Sequence, residues 1–145
     1  MTIQEKIAAV AATFAGIEYR FMNWAQLNVA VDDITRPTIC YVLPPSGELT
    51  PSRSARAWKD APTTQFAFLT PTDFDFDGAE NDDKIEAMKT IAKQFILAIN
   101  ESGEFEMIDG EALPYQVVYD TLDDNLTGII LTVRLVETKY STICK

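Results

Sequence analysis

The sequence contains no histidine. Imidazole is the commonest general base and the commonest metal ligand, so its absence excludes Ser–His and Cys–His catalysis and His-bound zinc. Cysteine is nearly absent too. Cys40 and Cys144 form neither a C-x-x-C pair nor any zinc spacing. Cys40 lies in an apolar run and reads as a small core residue, whereas Cys144 stands beside the last residue and reads as exposed. Their spacing leaves a disulfide open, and a reducing compartment disfavours it. Positive charge is scarce, with 12 Lys and Arg against 22 Asp and Glu and a net charge of −10. A protein held to nucleic acid by phosphate contacts needs a basic surface, so this balance argues against one. No apolar run approaches the roughly 20 residues that span a bilayer. The expectation is a cytoplasmic or cytoplasmically assembled protein. The six glycines are scattered, with no Walker sequence and no G-x-G-x-x-G. Ser46-Gly47 and Ser102-Gly103 lack the spacing of a nucleophile elbow. No catalytic residue and no cofactor is expected.

What is present is enough for a core. A chain of 145 residues with 47% hydrophobic content is the size of one ordinary domain. Thr2-Ile3-Gln4-Glu5 has the form of a capping box. It opens a helix over residues 3–15, with Ile3, Ile7, Val10, Ala11 and Phe14 on one face and Gly16 as the stop. Glu5 beside Lys6 leaves no net positive charge ahead of the apolar stretch, so a signal peptide is not expected there. Residues 17–22 and 24–31 read as strands, the second by alternation of Leu27, Val29 and Val31 with Gln26, Asn28 and Ala30. Residues 38–43 are continuously apolar, which predicts a strand covered on both faces. A second helix follows Gly78 and Asn81. Ile85, Met88, Ala92, Phe95, Ile96 and Ile99 form its apolar stripe, and Gly103 ends it. The last third reads as strands over 105–108, 115–119 and 126–137, with a turn at Asp123-Asp124-Asn125. The order of elements predicts an α+β fold: a mostly antiparallel sheet with two helices packed on one face, in a single domain spanning 1–145.

Residues 44–64 differ from their surroundings. Pro44, Pro45, Pro51 and Pro62 argue for a long projecting loop without regular structure. Arg53, Arg56 and Lys59 outnumber Glu48 and Asp60, so the segment is net positive within an acidic chain. Trp58 lies among the bases. Arg and Trp are favoured at protein interfaces, so Arg53, Arg56, Trp58 and Lys59 are expected to contact another subunit or partner.

The acids are concentrated. Residues 73–83 hold Asp73, Asp75, Asp77, Glu80, Asp82 and Asp83, and residues 101–124 hold eight more, with no Lys or Arg in either stretch. Asp73-Phe74-Asp75-Phe76-Asp77-Gly78 begins like an EF-hand loop. The pattern then fails, because Lys84 occupies the twelfth position where a bidentate Glu is needed. Asp73, Asp75 and Asp77 are the nearest approach to a metal site, and the plainer reading is an acidic turn leading into a helix whose positive end favours carboxylates. No base lies near these acids in sequence to steady a phosphate, which weakens a carboxylate–metal hydrolase. A surface of one sign instead repels nucleic acid or attracts a basic partner.

The order of elements resembles that of tail-terminator and tail-completion proteins of tailed bacteriophages and prophages. The resemblance runs through the N-terminal helix, the strands at 19–31 and 38–43, the long segment after Pro44-Pro45, the helix over 82–100, the 115–119 strand and Thr127-Gly128-Ile129-Ile130-Leu131. It implies a structural subunit that forms a homo-oligomeric ring, commonly a hexamer. Such a ring completes the tail tube and joins it to head-connector proteins, with DNA passing through but not specifically bound. It also implies assembly in the bacterial host cytoplasm, residence in the tail or neck of the virion, and no membrane contact. Two other functions are compatible with the residues: a small acidic adaptor that docks a basic partner, and the metal hydrolase.

Overall fold

The computed structural model describes residues 1–23, 34–72, 78–119 and 126–142. Helix α1 spans Ile3–Ala11, and the capping box forms as predicted, Thr2 Oγ1 accepting from the Glu5 N–H at 3.2 Å and Glu5 Oε2 from the Thr2 N–H at 2.7 Å. The helix stops four residues short of the expected end. Strands β1 (Glu18–Met22), β2 (Thr38–Pro51) and β3 (Ala57–Pro71) follow, then helix α2 (Gly78–Ser102), β4 (Tyr115–Tyr119), β5 (Leu126–Arg134) and the two-residue β6 (Ser141–Thr142). The described strands form one sheet in the order β1-β2-β3-β5-β4, with β6 paired to the start of β3. Only β1 and β2 are parallel. The fold is α+β, mostly antiparallel.

Both helices lie on one face, as alternation dictates. Ile39, Tyr41, Phe66, Phe68, Ile129, Leu131 and Val133 point to that face and pack with Ile7 and Val10 of α1 and Met88, Ala92, Phe95 and Ile99 of α2. Phe95 sits edge-on to Phe66 and Phe68, with ring centroids 5.2 and 5.9 Å away. The opposite face carries Cys40, Ala67, Leu69 and Leu126 around Ile34. Cys40 is a free, buried thiol, and burial lifts its pKa from 9.0 to about 12. Gly128 lies where β5 crosses Phe68 and Leu69. A Cβ there would fall 1.8 Å from the Phe68 carbonyl oxygen, so only glycine fits.

The segment 44–64 is not a loop. β2 and β3 continue through it as a paired hairpin, from Ser46↔Thr63 out to Pro51↔Trp58. The prolines are tolerated because of where they fall. Pro44 and Pro45 lie in the register shift between Val42 and Ser46, and Pro51 is the last residue of β2. Pro62 faces Gly47, where an added Cβ would come within 3.0 Å of the Pro62 Cα, and its carbonyl still accepts the Leu135 N–H at 3.1 Å. The expected strand at 105–108 is reduced to a single bridge, Phe105↔Glu137. The expected strand at 24–31, the turn at Asp123-Asp124-Asn125 and the loop bearing Asp73, Asp75 and Asp77 lie outside the described residues. Cys144 lies outside them as well.

Candidate functional site

The hairpin arm has a built tip. Ser52 and Ala57 close it through Ser52 N–H to Ala57 O at 2.8 Å and Ala57 N–H to Ser52 Oγ at 3.2 Å. Ala55 takes a positive φ of 55°, and its carbonyl accepts the Trp58 indole N–H at 3.1 Å. Trp58 is half-buried and thus fixes the tip from within. Lys59 is half-buried and sets its ammonium 4.7 Å over the Tyr140 ring. Arg53 and Arg56 are exposed at the turn. Of the four expected contact residues, the two arginines therefore point outward, while Trp58 and Lys59 chiefly brace the arm.

The arm is fastened to α1 by one carboxylate. Glu137 is buried, accepts from Lys6 Nζ at 2.8 Å and from the Asp60 N–H at 3.0 Å, and returns its own N–H to the Asp60 carbonyl at 3.2 Å. Lys6 also reaches Glu104 at 3.4 Å. Burial pulls the Lys6 pKa down, but its bonds and charge pairing with Glu137 and Glu104 outweigh this and leave it above its ordinary value. Asp60 moves upward, first by burial and then by the nearby Glu137 charge.

The two sides of the sheet differ. β1 carries Glu18, paired to Arg20 at 3.1 Å and reached by Arg36 at 3.9 Å. β4, Tyr115-Gln116-Val117-Val118-Tyr119, has no charge and no proline. Tyr115 and Val117 are 50% and 43% exposed, which leaves an apolar strand open on its outer side among the described residues. Inside it runs a groove of about 340 Å³ between α2 and the sheet, walled by Ala92, Ile96, Leu113, Tyr115, Ile129 and Leu131. Lys89 lies 4.9 Å over the Tyr115 ring and bonds Glu86 at 2.8 Å.

The acids before β4 stand in the open. Glu101, Glu106, Asp109 and Glu111 are exposed, with Met107 65% exposed among them. Glu80, Asp82 and Asp83 are exposed on the first turns of α2. Among the described residues no three acids or thiols are grouped to hold a metal ion. No helix there is long and apolar enough to cross a membrane. The β4 edge is not evident from the sequence alone. Its signal was the uncharged run 115–119, which becomes informative only once the sheet order puts that strand outermost. The chain matches no protein-family model and no curated protein sequence.

Proposed function

We propose that the protein is a structural subunit of a phage or prophage tail or neck, forming a homo-oligomeric ring that completes the tail tube and joins it to the head connector. One observation carries the reading: a single subunit presents a braced arm with exposed Arg53 and Arg56 at its tip and, elsewhere, the exposed acids Glu101, Glu106, Asp109 and Glu111, from a stretch of sequence that holds no Lys or Arg. These are unlike, mutually attractive surfaces. Closed rings are built from head-to-tail contacts between unlike patches, and a projecting arm supplies one half. The order of elements seen in tail-completion proteins adds to this. An acidic chain also suits a ring through which DNA slides, because cationic walls would hold the phosphates. In this reading the protein acts by shape and surface sign, and the ring works in the host cytoplasm and then in the virion.

The test is Arg53→Glu together with Arg56→Glu. Both side chains are exposed, so stability should change by less than about 0.5 kcal/mol. Ring formation, followed by native mass measurement alone and with purified tail tubes, should be lost. Unchanged assembly removes the arm from the account.

A further inference from the structure

We infer that neighbouring copies of this chain join by strand addition: the outer edge of β2 in the arm, residues 46–51, pairs antiparallel with β4 of the next copy. The inference rests on the ring reading above and specifies its contact.

Four observations converge. First, β4 is the side of the sheet without charge or proline to blunt it, and an edge of this kind is a template for another strand. Its outward groups can be assigned. Thr132 N–H donates to the Pro114 carbonyl at 2.9 Å, and the ladder continues through Tyr115↔Leu131 and Val117↔Ile129. Antiparallel bonding alternates, so Gln116 and Val118 bond inward to β5, while the N–H and C=O of Tyr115 and Val117 face out.

Second, β1 covers β2 only from Thr38 to Val42, so the outer edge of residues 46–51 has no strand beside it among the described residues. This edge and β4 lie on opposite sides of the sheet. Their union is head-to-tail, the type that closes rings.

Third, the directions agree. β3 opposes β2, β5 opposes β3 and β4 opposes β5, so β4 runs opposite to β2. Copies placed side by side with the same end up therefore meet as an antiparallel pair. Leu49 faces Asp60 across the hairpin, on the helix side, and is 67% exposed. In the joined sheet it falls on the helix side beside Val117, next to Tyr115 at the outer wall of the apolar groove.

Fourth, the charges follow from the register. With Leu49 beside Val117, antiparallel numbering carries the arm tip past the start of β4 onto the segment before it. That register sets Pro51 beside Tyr115 and brings the turn that bears Arg53 and Arg56 to the stretch before β4, where Asp109 and Glu111 are exposed. Hydrogen bonding, apolar contact and charge are all satisfied together in this alignment.

The experiment combines an edge variant with a cross-link. Proline at 117 removes an outward N–H that β5 does not use, and proline is tolerated at such a position. Val117→Pro should leave the subunit folded, by circular dichroism and thermal melting. It should weaken association by roughly tenfold or more. In chains carrying Cys144→Ser, mixing the single variants L49C and V117C under oxidation should yield a disulfide that neither forms alone. V117C cross-linking to itself would mean that β4 pairs with β4 and would overturn the proposal. So would rings of V117P as stable as wild type; in that case the ring stands and this contact falls. Wild-type chain that stays monomeric, alone and on tail tubes, overturns the ring and this contact together.

Discussion

β2 and β3 each pass through two environments. In the inner half, Thr38 to Val42 are all buried, as are Thr64 and Phe66 to Thr70. In the outer half, residues 46–51 are exposed and residues 57–60 only half-buried. The ladder runs through both halves, broken only by the shift between Val42 and Ser46. The difference is what covers the strands. Helices lie over the inner half, and burial of Phe66, Phe68 and Phe95 supplies the stability there. The outer half has no core of its own. It is held by hydrogen bonds at the tip, by the pairing of Ala57 and Trp58 with β6, and by the Glu137 joint. A strand whose backbone is ordered but whose side chains are exposed leaves its surface available to contact from outside its own fold. In the proposed ring, separate halves make stability and assembly separable by mutation.

The sharpest break should come at Gly128→Ala in the inner half. The new Cβ has no room beside the Phe68 carbonyl, so β3 and β5 must part. A loss above about 4 kcal/mol is expected, seen as absent or strongly lowered thermal unfolding. Glu137→Ala acts on the joint between the halves. It frees the Asp60 N–H and leaves Lys6 with its longer Glu104 contact and the Phe105 ring. About 2–3 kcal/mol should be lost, with hydrogen exchange rising first at Asp60 and its neighbours while the Phe95 region stays protected. The last effect is nil at neutral pH and appears only in alkali, as a pH dependence of the inner half. The folded state holds the Cys40 thiol up to about 12, whereas the unfolded chain ionises near 9.0. Its contribution is therefore complete below about pH 9 and is lost between about 9 and 12. Denaturant midpoints should decline from about pH 9 upward. In Cys40→Ala the decline should begin about one unit higher, where Tyr19, lifted by burial from 10.0 to about 12, and Tyr41, also raised by burial, take over.

The same division explains what the sequence made legible. α2 was readable because Met88, Ala92, Phe95 and Ile99 repeat at helical spacing and nothing interrupts them. β5 was readable from the alternation of Ile129, Leu131 and Val133. These patterns exist because a core selects one face. The arm has no core, so it leaves no alternation, and its prolines read as breakers. They are accommodated because they occupy a register shift, a strand end and a place opposite glycine, positions defined only by the partner strand. The basic tip was visible as composition, Arg53 and Arg56 among prolines. The bracing roles of Trp58 and Lys59 were not, because Ala55 and Tyr140 come to them through the turn and through β6. The β4 edge was invisible for a similar reason, since being outermost is a property of sheet order.

Electron microscopy and native mass measurement of the purified wild-type chain, alone and added to tail tubes, test the central claim most directly. Closed rings with a central opening, built from one kind of head-to-tail contact and seated on the tube end, are expected. A chain that remains a single subunit in both settings would contradict it.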